Sequence, residues 1–114
     1  MKLQFSPEFR KDLRLEKAYL NINISKDYAD KVGIRILKEC SSLKDFPHKG
    51  KSVSERFDID SDMLFLVIND YMVFYRVTDD TIDMVRLFNT KMNILFRMFG
   101  IDTSDPDSDD YWNE

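Results

Sequence analysis

The sequence predicts one α+β domain, in which an N-terminal strand and a helical hairpin pack against an antiparallel β-meander that a short C-terminal helix follows. Two observations predict this class. Apolar residues recur at helical spacing before Pro47, whereas after Met63 they form short runs separated by turn residues. The length of 114 residues is typical of one domain, and 43% hydrophobic residues are enough to form its core. We expect the domain to cover residues 1–101, with an acidic, solvating tail over 102–114.

The first helix is predicted to follow a short strand, Leu3–Phe5, which alternates apolar and polar residues and is expected at a sheet edge. Ser6 can accept hydrogen bonds from the free N–H groups of a helix start, and Pro7 suits the first helical position. The helix is therefore predicted to run from Pro7 to about Asn21.

A second helix is predicted from Lys26 to Leu43, with Ser25 as its N-cap. Its apolar residues recur at spacings of 3, 4, 4 and 3 and form one stripe: Ala29, Val32, Ile36, Cys40 and Leu43. Gly33 allows a close approach to the neighbouring helix, and Cys40 is expected as a buried thiol. The short link at Asn21–Ile24 makes the two helices an antiparallel hairpin.

A flexible basic loop, His48–Ser52, is predicted after Pro47 ends the helical part. The meander follows, with strands at Met63–Ile68, Tyr71–Val77 and Ile82–Phe88. Asn69-Asp70 is predicted to form a two-residue turn between the first two strands, and the third strand follows a second short turn.

The register of the last two strands gives the first expectation about a charged residue. If the turn at Thr78–Thr81 is tight, Arg76 lies opposite Asp83 as a favourable ion pair, and Val73 lies opposite Arg86. Arg86 then shares a face with aromatic and aliphatic residues: Tyr71, Tyr75, Ile82, Met84 and Phe88. An unpaired arginine inside a core is costly, so its head must reach solvent, a carboxylate or a partner.

The last helix is predicted after Asn89-Thr90, with Gly100 as its stop and Ile94, Leu95, Met98 and Phe99 as its apolar residues. Beyond it the tail carries six acidic residues and no Lys or Arg. We expect this tail to remain solvated, and the alternative is that Tyr111-Trp112 docks as an anchor.

Several classes of function are excluded or disfavoured by composition. No apolar run approaches the roughly 18 residues of a membrane span, and the start lacks a signal peptide's hydrophobic region, so a cytoplasmic protein is expected. A lone Cys40 excludes an internal disulfide framework. The sequence has no Cys/His cluster, so we expect neither a metal site nor another cofactor. Residues 1–51 hold 12 basic and 7 acidic residues, a weaker excess than is typical of nucleic-acid binders.

The order of these segments resembles the RelE/ParE toxins of bacterial type II toxin–antitoxin systems. The resemblance extends from Leu3 to about Ile101 and rests on five segments: Phe5–Leu13, Leu43–Gly50, Asn69–Val77, Ile82–Leu87 and Ile94–Phe96. It implies a helical hairpin packed on a twisted sheet. It also implies a toxin that inhibits growth or stabilises a plasmid, and a small antitoxin that wraps around it in a hetero-oligomer.

The resemblance leaves the target open, because RelE and YoeB toxins cleave mRNA on the ribosome whereas ParE toxins bind DNA gyrase. This sequence departs from the nuclease pattern at three places. Met63–Ile68 has no ionisable group where RelE is lysine-rich, Met72 stands where nuclease members carry an arginine, and Phe88-Asn89 stands where YoeB-like members carry His-Tyr. These departures favour a ParE-like binding inhibitor. The alternatives are a ribosome-dependent mRNA interferase and a degenerate member that only binds antitoxin.

Candidate site residues follow from this comparison and from residue chemistry. Partner-binding candidates are Arg86, Tyr71, Tyr75, Phe88, Lys49 and Lys51. An unfamiliar nuclease site would have to use Arg86, Lys91 or His48. For Arg86 the alternative is a contact within the fold, with a helix end or a carbonyl, and for Lys49 and Lys51 it is a solvated loop.

Overall fold

The structure, a computed structural model, describes residues 1–91 and 94–100. The acidic tail at residues 102–114, including Tyr111-Trp112, lies outside the described residues. The elements in chain order are β1 (Lys2–Phe5), α1 (Pro7–Asn23), α2 (Lys26–Ser42), β2 (Lys51–Ser52), α3 (Val53–Phe57), β3 (Leu64–Ile68), β4 (Tyr71–Val77), β5 (Thr81–Asn89) and α4 (Ile94–Phe99). The predicted α+β class is confirmed. Within the described ranges, each helix is too short or too polar to cross a bilayer.

The five strands form one sheet in the order β1-β5-β4-β3-β2. The edge position predicted for the first strand is confirmed, but β1 runs parallel to β5, so the sheet is mixed and not wholly antiparallel. The pairs β5-β4, β4-β3 and β3-β2 are antiparallel, as the meander requires. The parallel pair arises because the chain passes through both helices, β2, α3 and two strands before β5 arrives beside β1.

The helix starts are set by the predicted serine caps. The hydroxyl of Ser6 accepts from the N–H of Phe9 at 2.9 Å, and that of Ser25 accepts from the N–H of Tyr28 at 3.1 Å. Each hydroxyl thereby satisfies a donor that the helix itself leaves free. The boundary at Lys26 is confirmed, and α1 extends two residues beyond the predicted Asn21.

Two hydrophobic clusters lie on the two faces of the sheet. The helical hairpin covers the larger cluster, whose centre includes Phe9, Ile36, Cys40, Tyr75 and Met84. The opposite face carries a phenylalanine cluster, which α3 and α4 cover: Phe57, Phe65, Phe74, Phe88 and Phe99. The sequence predicted only the helical cover on one face.

The segment after Pro47 is more ordered than the flexible loop that the sequence predicted. The Tyr75 hydroxyl donates to the Pro47 carbonyl at 2.9 Å and accepts from the Gly50 N–H at 3.0 Å. Lys51–Ser52 then pairs with β3, and Ser52 caps α3. A buried tyrosine hydroxyl needs polar partners, and the turn of the chain at this point supplies them.

The predicted register of β4 and β5 holds only near their turn. Arg76 does lie opposite Asp83, although its guanidinium pairs with Asp62 at 2.9 Å. Farther along, a bulge shifts the register, so Phe74 lies opposite Arg86 and the predicted pairing of Arg86 with Val73 is wrong. An extra residue in one strand reverses which face the following side chains occupy. Arg86 therefore lies on the face of the phenylalanine cluster, not on the face of Tyr71 and Tyr75.

The two glycines Gly50 and Gly33 give a matched test of this packing. A Cβ at Gly50 would collide with the Tyr75 hydroxyl and lie 2.7 Å from the Phe65 carbonyl oxygen, whereas at Gly33 it would meet the flexible Lys17 side chain at 3.1 Å. We expect Gly50→Ala to lower the free energy of unfolding by about 1–3 kcal/mol. Gly33→Ala should be neutral or stabilising, since alanine favours a helix by about 1 kcal/mol. Urea unfolding measures both, and equal effects would contradict the assigned packing.

Candidate functional site

The site begins where β1 stops pairing with β5. β1 covers the edge of β5 only as far as Met84, and the first residues of α1 satisfy the edge beyond it. The Ser6 N–H donates to the Met84 carbonyl at 2.9 Å, and its hydroxyl donates to the Val85 carbonyl at 2.7 Å. Asp12 then accepts from the Leu87 N–H at 3.0 Å. The start of α1 therefore replaces a missing strand.

Asp12 also forms a bidentate ion pair with Arg86. The Nε–Oδ2 distance is 2.8 Å and the Nη2–Oδ1 distance is 3.0 Å. The Arg86 side chain is 28% exposed and that of Asp12 is 13% exposed. The hydrogen bonds to Asp12 raise the pKa of the Arg86 guanidinium. The guanidinium carbon lies 4.5 Å from the centre of the Phe88 ring, a cation–π contact. The structure thus gives Arg86 a carboxylate within its own chain.

One turn farther along α1, Glu16 lies beside the buried side chain of Tyr71. The Tyr71 hydroxyl donates to Glu16 Oε2 at 3.4 Å. Burial raises the pKa of the Glu16 carboxyl above its ordinary value. Burial, together with the nearby Glu16 charge, raises the pKa of Tyr71 to about 12.

A groove lies between α1 and the end of β5, and we call it the α1–β5 groove. Its outer part, with a volume of about 330 Å³, is lined by Leu15, Glu16, Tyr19, Asn89 and Lys91. Its inner part, about 80 Å³, is lined by Asp12, Leu15, Glu16, Arg86, Leu87, Phe88 and Arg97. The two parts share Leu15 and Glu16, so they form one continuous surface depression.

An exposed apolar stripe borders this groove. Leu15, Tyr19 and Ile22 are 57%, 60% and 83% exposed, and they follow one another along α1 at spacings of four and three residues. Residues at these spacings share one side of a helix. Sequence reasoning missed the stripe because it considered only the apolar face of α1 that meets the core. The signal was present as a second helical row of apolar residues.

The structure brings some predicted site residues together and separates others. Arg86, Phe88 and Lys91 line the groove, and Tyr71 contacts its Glu16. The three aromatic candidates are largely buried, since Tyr71, Tyr75 and Phe88 are 5%, 0% and 3% exposed.

The basic candidates after α2 lie elsewhere. His48 and Lys49 follow α2, Lys51 belongs to β2, and none of the three lines the groove. Lys49 donates to the Ser42 hydroxyl at 2.9 Å and pairs with Glu39 at 3.3 Å.

The residues considered for a nuclease or metal site are not joined to one another in the described part of the chain. In residues 1–91 and 94–100, no hydrogen bond or ion pair joins His48, Arg86 and Lys91, and no group of three metal-ligating side chains occurs. The Cys40 thiol is buried, and burial raises its pKa to about 12, so it is not a reactive nucleophile. The groove instead offers an apolar stripe with charged residues along its rim.

Comparison with known proteins adds two findings. A family model described as "ParE toxin of type II toxin-antitoxin system, parDE" matches residues 3–94. A solved structure described as "Chromosomal ParDE TA system from P. aeruginosa" is similar in fold, with a TM-score of 0.67 and 16% sequence identity over 78% of this chain and 95% of that chain. No curated protein sequence matches the chain.

Glu16→Gln tests the electrostatics of the groove floor. The pKa of Glu16 is higher in the folded protein than in the unfolded chain. The folded state therefore loses stability relative to the unfolded state as the pH rises and this carboxyl ionises. A glutamine can still accept from the Tyr71 hydroxyl but carries no charge. We expect the variant to be more stable than the wild type at about pH 7, with the gap narrowing toward about pH 4. Urea unfolding at both pH values measures this, and a gap that widens in acid would contradict it.

Proposed function

This chain belongs to the ParE toxin family of type II toxin–antitoxin systems, and on that premise we propose that it inhibits growth by binding an essential target such as DNA gyrase. A small cognate antitoxin neutralises it. The observation that carries this proposal is the α1–β5 groove with its exposed stripe, a surface suited to protein partners and not to bond cleavage.

We assign the antitoxin to the α1–β5 groove. An amphipathic helix binds a groove through apolar side chains at spacings of three and four residues, and Leu15 and Tyr19 present apolar area of that kind. Lys91 and Arg97 add positive charge to the lining, while the hydroxyl of Tyr71 engages Glu16. The charged lining favours a partner segment with acidic residues beside its apolar ones.

Arg86 has a positioning role in this proposal. Its guanidinium is engaged by Asp12 and lies over Phe88, so it holds α1 against β5 and shapes the inner groove. Direct partner contacts then fall to the exposed Leu15 and Tyr19.

A binding inhibitor is favoured over an mRNA interferase by the chemistry that RNA cleavage requires. Cleavage through the 2′-hydroxyl needs a base, a cation at the phosphate and a proton donor for the leaving oxygen. At the positions matched to the family's nuclease residues stand Met72, Phe88 and Asn89. Phe88 is buried, and Arg86 is already bound to Asp12.

Expression of the chain in growing bacteria tests the toxin assignment. We expect growth to stop when the chain is induced alone and to resume when the small protein from the neighbouring reading frame is co-expressed. With purified proteins, Tyr19→Ser should weaken that complex by about tenfold or more, the effect of a central contact residue. Ile34→Ser is the matched control, because Ile34 on α2 is also 60% exposed but does not line the groove. Normal growth after induction alone would contradict the assignment.

Two assays with the purified chain separate the targets. We expect gyrase-dependent DNA breaks in a supercoiling reaction and intact mRNA in a cell-free translation reaction. Messenger RNA cut at the ribosomal A site would establish an interferase instead. An inert chain that still binds its antitoxin would identify a degenerate member.

A further inference from the structure

The exposed stripe and the end of the chain carry complementary chemistry. Lys11, Lys91 and Arg97 form no ion pair within the part of the chain that the structure describes, and all three are exposed. Lys11 lies one turn before Leu15 on α1, and the other two line the groove. The C-terminal segment has six acidic residues, no Lys or Arg, and the adjacent aromatic pair Tyr111-Trp112.

We propose that the segment 102–114 binds the α1–β5 groove of its own chain. In this arrangement Tyr111 and Trp112 cover the stripe at Leu15 and Tyr19, and the acidic side chains face the surrounding cations. The segment thus occupies the apolar surface when no partner is present.

The position of α4 places the start of the segment close to the α1–β5 groove. Arg97 lines the inner groove, and Gly100 follows it by three residues, about 4.5 Å along a helix. Gly100 has a φ of 70°, a left-handed conformation that lets the chain turn away from the helix axis. Tyr111 follows Gly100 by eleven residues, which extend to about 36 Å. The stripe from Leu15 to Ile22 is only about 10 Å long.

Because the segment and the groove belong to one chain, even a weak interface between them can remain largely occupied. A flexible connection of this length gives an effective concentration of about 1 mM, so a free-segment dissociation constant of about 0.1 mM keeps the groove occupied about nine-tenths of the time. Each aromatic ring can bury about 150–250 Å², which is the scale of contact that such an affinity needs. The opposite charges add attraction that salt weakens.

Docking of the segment does not depend on the proposed function, whereas competition between the segment and an antitoxin rests on it. If both bind the α1–β5 groove, the antitoxin must displace the segment. The following experiment uses the chain alone, so its failure leaves the toxin assignment untouched.

Trp112 is the sole tryptophan, and its fluorescence therefore reports on the segment directly. We expect the full chain to show blue-shifted emission and about twofold weaker acrylamide quenching than a peptide of residues 101–114, because a docked ring is half-buried. Tyr19→Ser should return quenching to the peptide value, whereas the matched control Ile34→Ser should not. Raising salt from about 0.01 M to about 1 M should increase quenching, as the Debye length falls from about 30 Å to about 3 Å.

Three results would overturn the proposal. Quenching equal to that of the peptide would show an undocked segment. Protection that Tyr19→Ser leaves unchanged would place the segment on another surface. Protection that disappears on dilution of the chain would show that the segment binds a second copy.

Discussion

The ion pair between Asp12 and Arg86 is the interaction on which the arrangement of this fold depends. One carboxylate accepts from the Arg86 Nε, the Arg86 Nη2 and the Leu87 N–H, and so joins a helix to a strand edge that β1 does not reach. The pair is largely shielded from water, so the loss of either partner leaves a charged group without compensation. The bulge in β5 makes the pair possible, because the shifted register removes Arg86 from the face of Tyr75 and Met84.

The same attachment explains why a groove exists. α1 is held to β5 at Asp12, and one turn later Glu16 accepts a hydrogen bond from the Tyr71 hydroxyl. The outer side of the next turns, at Leu15, Tyr19 and Ile22, therefore remains outside the core and exposed. An exposed apolar stripe of this kind offers contact area to a second segment of polypeptide. The family to which the chain belongs is that of ParE toxins of type II toxin–antitoxin systems, in which a toxin is paired with an antitoxin.

Local signals in the sequence were sufficient for much of the fold. Serine caps defined the helix starts, and the strand Tyr71–Val77 has the predicted bounds. The predicted turn at Asn69-Asp70 is also confirmed, with Asn69 at a φ of 55°. Each of these features depends on residues within a few positions of one another, where propensity and hydrogen-bonding chemistry act directly.

Features that depend on distant residues could not be predicted in this way. The bulge, the parallel β1-β5 pair and the partner of Arg86 all depend on how α1 meets β5, and Asp12 is 74 residues from Arg86 in the chain. The sequence did single out Arg86, since a charge inside an apolar strand requires a partner. It could not identify that partner as a helix carboxylate, and it placed Arg86 on the wrong face.

A double-mutant cycle measures how strongly Asp12 and Arg86 hold α1 to β5. Urea unfolding of the wild type, Asp12→Ala, Arg86→Ala and the double variant gives the coupling free energy of the pair. We expect about 1–3 kcal/mol of coupling, with Asp12→Ala more destabilising than Arg86→Ala because the Leu87 N–H also loses its acceptor. A coupling near zero, or equal small losses from both single variants, would show that α1 is held to β5 by other contacts.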